Sequence, residues 1–206
     1  DIKPGNIFLS HLDRGERVAK VLDFGIARTK NAGEDTELTR TGSMVGSPHY
    51  MSPEQARGLK NIDARADVWS MGVVLFRLLS DRTPHEQGDG GLGELLITIC
   101  CAPPPSVQTV APWVPPEVAT VVDKALQLDR EQRFENAKAM YDAIEPLLQD
   151  GVELDESMLQ PLADEQRTFT APRAPATNAD VSTDRQQVPL TSLSSSSTEF
   201  NAAVTP

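Results

Sequence analysis

The sequence predicts a mainly α-helical lobe that carries one short β-hairpin and is followed by a disordered tail, and three observations lead there. From Ala64 to about Ser80 the residues Val68, Trp69, Met71, Val73, Val74, Leu75, Phe76, Leu78 and Leu79 leave little polar face, as in a helix buried at the centre of a domain. Ahead of it, the apolar runs Ile7-Phe8-Leu9 and Val18-Ala19-Lys20-Val21-Leu22 flank a polar stretch containing Asp13-Arg14-Gly15, which reads as strand, turn and strand. After Gly151 the composition shifts to Ser, Thr, Pro, Gln and acid, ending in the homopolymeric run Ser194 to Ser197. So few large apolar side chains cannot offset the entropy of ordering such a segment. The expected division is a folded domain over 1–149 and a disordered Ser/Thr/Pro-rich linker or tail over 150–206.

A folded part of about 150 residues buries roughly two thirds of the surface its unfolded chain exposes, enough for one core. The formal charge of -11 argues against nucleic acid and against an anionic membrane surface, since both select a basic face. The two cysteines, Cys100 and Cys101, are neighbours in the apolar stretch Leu95 to Cys101. That is a poor basis for a disulfide framework or a metal site, and buried free thiols in a reducing cytosol are expected. No apolar run is long enough to span a bilayer, and no basic-then-apolar segment opens the chain.

Taken in order, the hairpin sets Asn6 at the start of one strand and Asp23 just past the end of the other, so the two converge; His11 is expected in the connecting loop, facing solvent. From Ile26 to Tyr50 the chain is polar and aperiodic, which reads as a mobile loop. Asp63 is a suitable N-cap for the helix of Ala64 to Ser80. Gly88-Asp89-Gly90-Gly91-Leu92-Gly93 fits the dinucleotide pattern Gly-x-Gly-x-x-Gly, but it follows a helix and not a strand and carries an acid where phosphate would bind. It is read as a flexible connection. Leu95 to Cys101 is a short helix stopped by Pro103-Pro104-Pro105; Pro116-Glu117 opens another, with Val118, Val121, Val122, Ala125 and Leu126 on one face. A last amphipathic helix carries Ala139, Met140, Ala143, Ile144, Leu147 and Leu148, and Pro146 is expected to kink or end it.

The motif Asp1-Ile2-Lys3-Pro4-Gly5-Asn6 opens the chain. Alone, an Asp-x-x-x-x-Asn spacing carries little information. Four further motifs follow it in order: Asp23-Phe24-Gly25; Gly46-Ser47-Pro48-His49-Tyr50-Met51-Ser52-Pro53-Glu54; Asp67-Val68-Trp69-Ser70-Met71-Gly72; and Arg133-Phe134. With these, the chain resembles the large C-terminal lobe of a serine/threonine protein kinase, of the bacterial branch of the eukaryotic-type family, from Asp1 to about Leu148.

The resemblance implies a kinase-like large lobe and an ATP- and Mg2+-dependent transfer of the γ-phosphoryl group to protein Ser/Thr hydroxyls. On it, Asp1 accepts the hydroxyl proton, Lys3 offsets the phosphoryl charge, Asn6 and Asp23 bind magnesium, and Gly25 lets the metal loop turn. It also implies an activation segment with Thr39 and Thr41 as phosphorylation candidates, Ser47 as a substrate-loop hydroxyl where the family pattern has Thr, a buried Glu54–Arg133 pair, and Asp67 bracing the catalytic loop. Asp1 falls in the middle of its motif, so the chain is expected to be a fragment, without the glycine loop, strand lysine and helix glutamate of the small lobe, and inactive alone. Protein substrates are the expected partners, with self-association for autophosphorylation, no nucleic acid and no membrane contact from this part. A cytoplasmic location is expected, with any anchor of the parent beyond residue 206. A pseudokinase or scaffold, and a small-molecule phosphotransferase, are the competing classes. Where arginine-preferring kinases carry two carboxylates toward the substrate, this chain has Gly5 and Arg77, which implies no strong selection for arginine upstream of the phosphoacceptor.

Overall fold

In the computed structural model, residues 1–11, 17–23, 48–86, 90–148 and 160–173 are described. Strands β1 (Ile7–His11) and β2 (Arg17–Val21) pair antiparallel with Ile7 opposite Val21 and His11 opposite Arg17. His11 therefore ends a strand, although its side chain is exposed as expected. Seven α-helices follow among the described residues: α1 (Pro53–Ala56), α2 (Arg65–Ser80), α3 (Gly91–Cys101), α4 (Val107–Val110), α5 (Pro116–Ala125), α6 (Ala137–Ile144) and α7 (Asp164–Thr168).

Helix α2 is the axis of the lobe. The N-cap is Ala64 and not Asp63 as expected, because the helix begins one residue later, at Arg65; Asp63 Oδ1 still accepts from the Arg65 N–H at 2.9 Å. Asp81, in the left-handed region at φ 61, ends the helix, and its N–H returns to the Arg77 carbonyl. Trp69, Val73 and Phe76 of α2 pack with Leu95 and Ile99 of α3, Val107 of α4, Ala111 and Val114 between α4 and α5, and Val122 of α5. Each large side chain so buried stabilises by about 1.5–3 kcal/mol relative to exposure. A second cluster joins Val68 to Val121, Ala125, Phe134 and Met140. Gly72 lets α2 and α5 approach closely: a Cβ there would stand 3.0 Å from Ala125 Cβ.

The helix is not buried all round. Arg77 and Asp67 are exposed, and Leu78 is 74% exposed, so one stripe of α2 faces outward. Three further expectations change. Gly91 to Gly93 form the first turn of α3 and not a flexible connection, with Glu94 Oε2 accepting from Gly90 N–H at 2.8 Å. Cys100 is half-buried and Cys101 exposed, because α3 turns its last residue away from the core. Within 150–206, residues 160–173 hold the short helix α7 and return to the lobe, through polar contacts that composition does not register.

Pro146 acts as expected: α6 stops at Ile144 and passes into a 3-10 turn, Glu145–Leu147. Asn136 caps α6 by accepting from Ala139 N–H at 2.9 Å.

Candidate active site

Ile2 packs against the core cluster, and the extended backbone at Lys3 (φ -159, ψ 158) then turns the next side chain to the opposite side. Pro4 opens a 3-10 turn through Asn6, closed by Asn6 N–H to Lys3 O at 2.9 Å. That turn brings three side chains together. Lys3 Nζ lies 2.7 Å from Asp1 Oδ2, and Asn6 Nδ2 donates to the Asp1 carbonyl at 2.7 Å, with Asp1 Oδ2 3.4 Å away. Because Nδ2 faces oxygens of Asp1, the amide orientation is settled and Oδ1 is the side-chain atom left to accept or to ligate.

The hairpin supplies the other carboxylate. Leu22 N–H donates to Asn6 O at 2.9 Å, extending the β1–β2 ladder one step beyond Ile7–Val21. Asp23, exposed, follows directly, so the ladder sets its backbone beside Asn6. Asn6 Oδ1 and the Asp23 carboxylate are hard oxygen donors of the kind magnesium takes when phosphates and water complete its shell. Among the described residues no group of three or more His, Cys, Asp or Glu gathers to form an all-protein metal cage. The donor set thus fits a cation that arrives with its phosphate. Gly25, Thr39, Thr41 and Ser47 lie outside the described residues.

A buried ion pair joins α1 to Arg133, ahead of α6. Ser52 makes a capping box with Gln55, Pro53 takes the first helical position, and Glu54 is thereby held inward in α1. Arg133 Nη1 and Nη2 meet Glu54 Oε1 and Oε2 at 2.8 and 3.0 Å. The remaining guanidinium donors go to the carbonyls of Arg65 at 3.1 Å, Leu128 at 3.3 Å and Gln127 at 2.7 Å. All N–H groups of Arg133 are used, and its guanidinium also stacks 4.9 Å from the Trp69 ring centroid. Burial pushes the Glu54 carboxyl up, but the hydrogen bonds from Arg133, the Glu54 backbone and Ser52, together with the Arg133 charge, outweigh it and hold it below the usual range.

Tyr50 was not singled out from sequence, yet α2 grips it at both ends. Its carbonyl accepts from Ser70 Oγ at 2.7 Å, and its hydroxyl accepts from Arg77 Nη1 at 3.1 Å. Neither contact leaves a periodic signal, since a serine and an arginine on a helix are ordinary until their distant partners are known. Next to it, His49 Nδ1 donates to the His85 carbonyl at 3.2 Å. The His85 ring is buried against Trp69, centroids 6.4 Å apart, and burial pushes its imidazole down to about 4. Asp67, in the first turn of α2, is exposed. Gly5 is exposed, with no atom within 4 Å of where a Cβ would stand.

The profile of the protein kinase domain family matches residues 1–143. The chain is similar to serine/threonine-protein kinase Pkn1 of Myxococcus xanthus, 36% identical over 177 residues that cover 85% of this chain and 25% of that protein. It is similar to PrkC of Bacillus subtilis (strain 168), 36% identical over 176 residues, covering 84% and 25%. With PknB of Mycolicibacterium smegmatis it shares 35% identity over 190 residues, covering 92% and 28%. The chain therefore spans about a quarter of the length of these relatives. In this chain the likeness also covers more than residues 1–143, so it continues beyond the domain.

Proposed function

The chain belongs to the protein kinase domain family, and from that premise we propose that it is the catalytic large lobe of an ATP-dependent protein serine/threonine kinase. One observation carries the reading: Asp1, Lys3 and Asn6 meet within hydrogen-bond distance, on a turn that the β1–β2 ladder joins to Asp23. In this reading Asp1 accepts the proton of the attacking Ser/Thr hydroxyl, and Lys3, already paired with it, places positive charge where the phosphoryl group passes. Asn6 Oδ1 and Asp23 hold magnesium, which when bound neutralises the phosphate oxygens. Gly25 gives the turn after Asp23 its freedom, and Thr39 and Thr41 are the candidates for activating phosphorylation, made between copies during self-association. Ser47 contributes to the choice of Ser/Thr over Tyr.

Arg77 bears on substrate choice. Arg77 is an exposed residue whose guanidinium donates to the Tyr50 hydroxyl; in this reading it stands as a cation beside the acceptor groove, and Gly5 offers no carboxylate. Neutral or acidic peptides are the favoured substrates, and an arginine upstream of the acceptor gains nothing here. Among the described residues no helix is long and apolar enough to cross a membrane, and a cytoplasmic site of action is part of the proposal.

The test is transfer of labelled γ-phosphate from ATP and Mg2+ by the full-length protein, followed by acid hydrolysis of the labelled protein substrate. Label on phosphoserine and phosphothreonine is the expected result. Label on tyrosine alone, on small-molecule acceptors alone, or on nothing would contradict the assignment.

A further inference from the structure

Residues 160–173 come from a part of the chain with the composition of a passive linker, yet they make specific contacts with the lobe. The Ala171 N–H donates to the Pro112 carbonyl at 2.8 Å. Gln108 Nε2 donates to Val114 O at 2.7 Å and to Pro172 O at 2.8 Å. Ala171 is 9% exposed, whereas residues 160–170 and 172–173 around it are all exposed. Four residues upstream of Ala171, the Arg167 guanidinium stands 6.0 Å from the Trp113 ring centroid.

These contacts have the logic of peptide recognition. A backbone carbonyl that would otherwise face water, Pro112 O, pairs with the segment's one inserted amide, as an added strand pairs with a sheet edge. Gln108 is held in place by Val114 O through one N–H, which leaves its second N–H aimed at the segment. Both partners of that nitrogen are carbonyls, so the amide orientation is settled. The buried anchor is a methyl group, that of Ala171. Pro172 has no N–H to leave unpaired, and its fixed φ keeps the segment extended at low entropic cost.

We propose that the face made by Gln108 and Pro112 to Val114 is a docking site for a peptide of the form Arg-x-x-x-Ala-Pro, whose arginine lies in the last turn of a short helix and whose chain leaves that helix extended at Phe169. Its resident ligand is the chain's own segment Arg167–Pro172, bound in cis. The site is built from α4 and the turn that follows it, and uses none of Asp1, Lys3, Asn6 or Asp23. The chain leaving the lobe is thereby fastened beside Trp113 before it continues. Few contacts suffice because residues 149–159 join the segment covalently to the lobe. A short tether gives an effective concentration on the order of millimolar, so an interaction too weak to capture a free peptide still holds its own segment.

Hydrogen exchange of the Ala171 amide in the 206-residue chain tests this. The expected result is protection of about tenfold or more over an unstructured peptide of the same sequence. Ala171→Asp should abolish that protection and Gln108→Ala reduce it several-fold, while the amides of Val73 and Val74 in α2 keep theirs, which shows the lobe is still folded. Phe169→Ala should change nothing, since Phe169 is 62% exposed. An Ala171 amide exchanging at the unstructured rate, or one indifferent to both Gln108→Ala and Ala171→Asp, would overturn the site. Protection that rises with protein concentration would overturn the cis assignment and give the segment to a second copy.

Discussion

The two ends of this lobe are built on opposite plans. At the helical base, Glu54 and Arg133 are 4% exposed, every guanidinium donor is used, and Trp69 and Phe76 are almost wholly covered. At the hairpin end, Phe8, Val21 and Leu22 are 54, 40 and 63% exposed, and the proposed catalytic side chains Asp1 and Lys3 precede a three-residue turn, Pro4–Asn6. The base buries its ion pair and its large apolar side chains, and the hairpin end leaves apolar side chains in solvent. Stability should therefore reside in the base and chemistry in the loop, each open to change without the other.

The largest break in that contrast is expected at the buried pair. Glu54→Ala and Arg133→Ala each strand a buried charge, which costs about 3–5 kcal/mol. The double variant should lose less than the sum, measured by urea denaturation of all four chains. Strictly additive losses would mean the two residues do not act as a pair.

Next in size is a pH effect from His85. The unfolded imidazole takes its proton near 6.5 and the folded one near 4. The unfolded state therefore binds more protons between those values, and stability present above pH 6.5 is lost as pH falls toward 4. The loss is about 3 kcal/mol at about 1.4 kcal/mol per pH unit. Glu54, held below the usual range, adds its own loss only below about pH 4.5. Urea midpoints at pH 7.5, 6 and 5 should decline, and His85→Phe should flatten that decline. A variant with the same pH slope would assign the effect elsewhere.

Gly72→Ala should cost about 1–3 kcal/mol, because the new methyl meets Ala125 Cβ and Leu126 Cδ2 at 3.0 Å. A thermal melt suffices to check it, and no loss would mean α2 and α5 separate easily. A smaller and purely functional effect is expected from Arg77→Glu in the full-length protein. It should raise the use of peptides with upstream arginine relative to neutral ones several-fold on a peptide array, with stability within about 0.5 kcal/mol. An unchanged preference would remove Arg77 from the acceptor groove.

Much of this was legible in the residues themselves. The apolar runs Ile7–Leu9 and Val18–Leu22, with a polar turn between them, gave the hairpin and the convergence of Asn6 with Asp23. The apolar density of Val68 to Phe76 gave the central helix. The pairing of Glu54 with Arg133 was legible only through the family motif, since 79 positions separate them and no local period links them. What the sequence could not convey was the outward stripe of α2, because Leu78 reads as buried until its surroundings are known. Contacts of polar side chains with distant carbonyls were equally silent: Ser70 with Tyr50, Gln108 with Pro172. A single alanine carries no signature of being an anchor, so Ala171 looked like any residue of a linker.

The central claim is that the loop holds the chemistry and the base holds the fold, and one substitution tests it most directly. Asp1→Asn in the full-length protein removes the proposed proton acceptor while preserving the side chain's size. Phosphoryl transfer from ATP to a protein substrate, measured with the urea midpoint of the same preparation, should fall by about 10²–10⁴-fold with the midpoint essentially unchanged. Transfer at the rate of the unaltered protein would contradict the account.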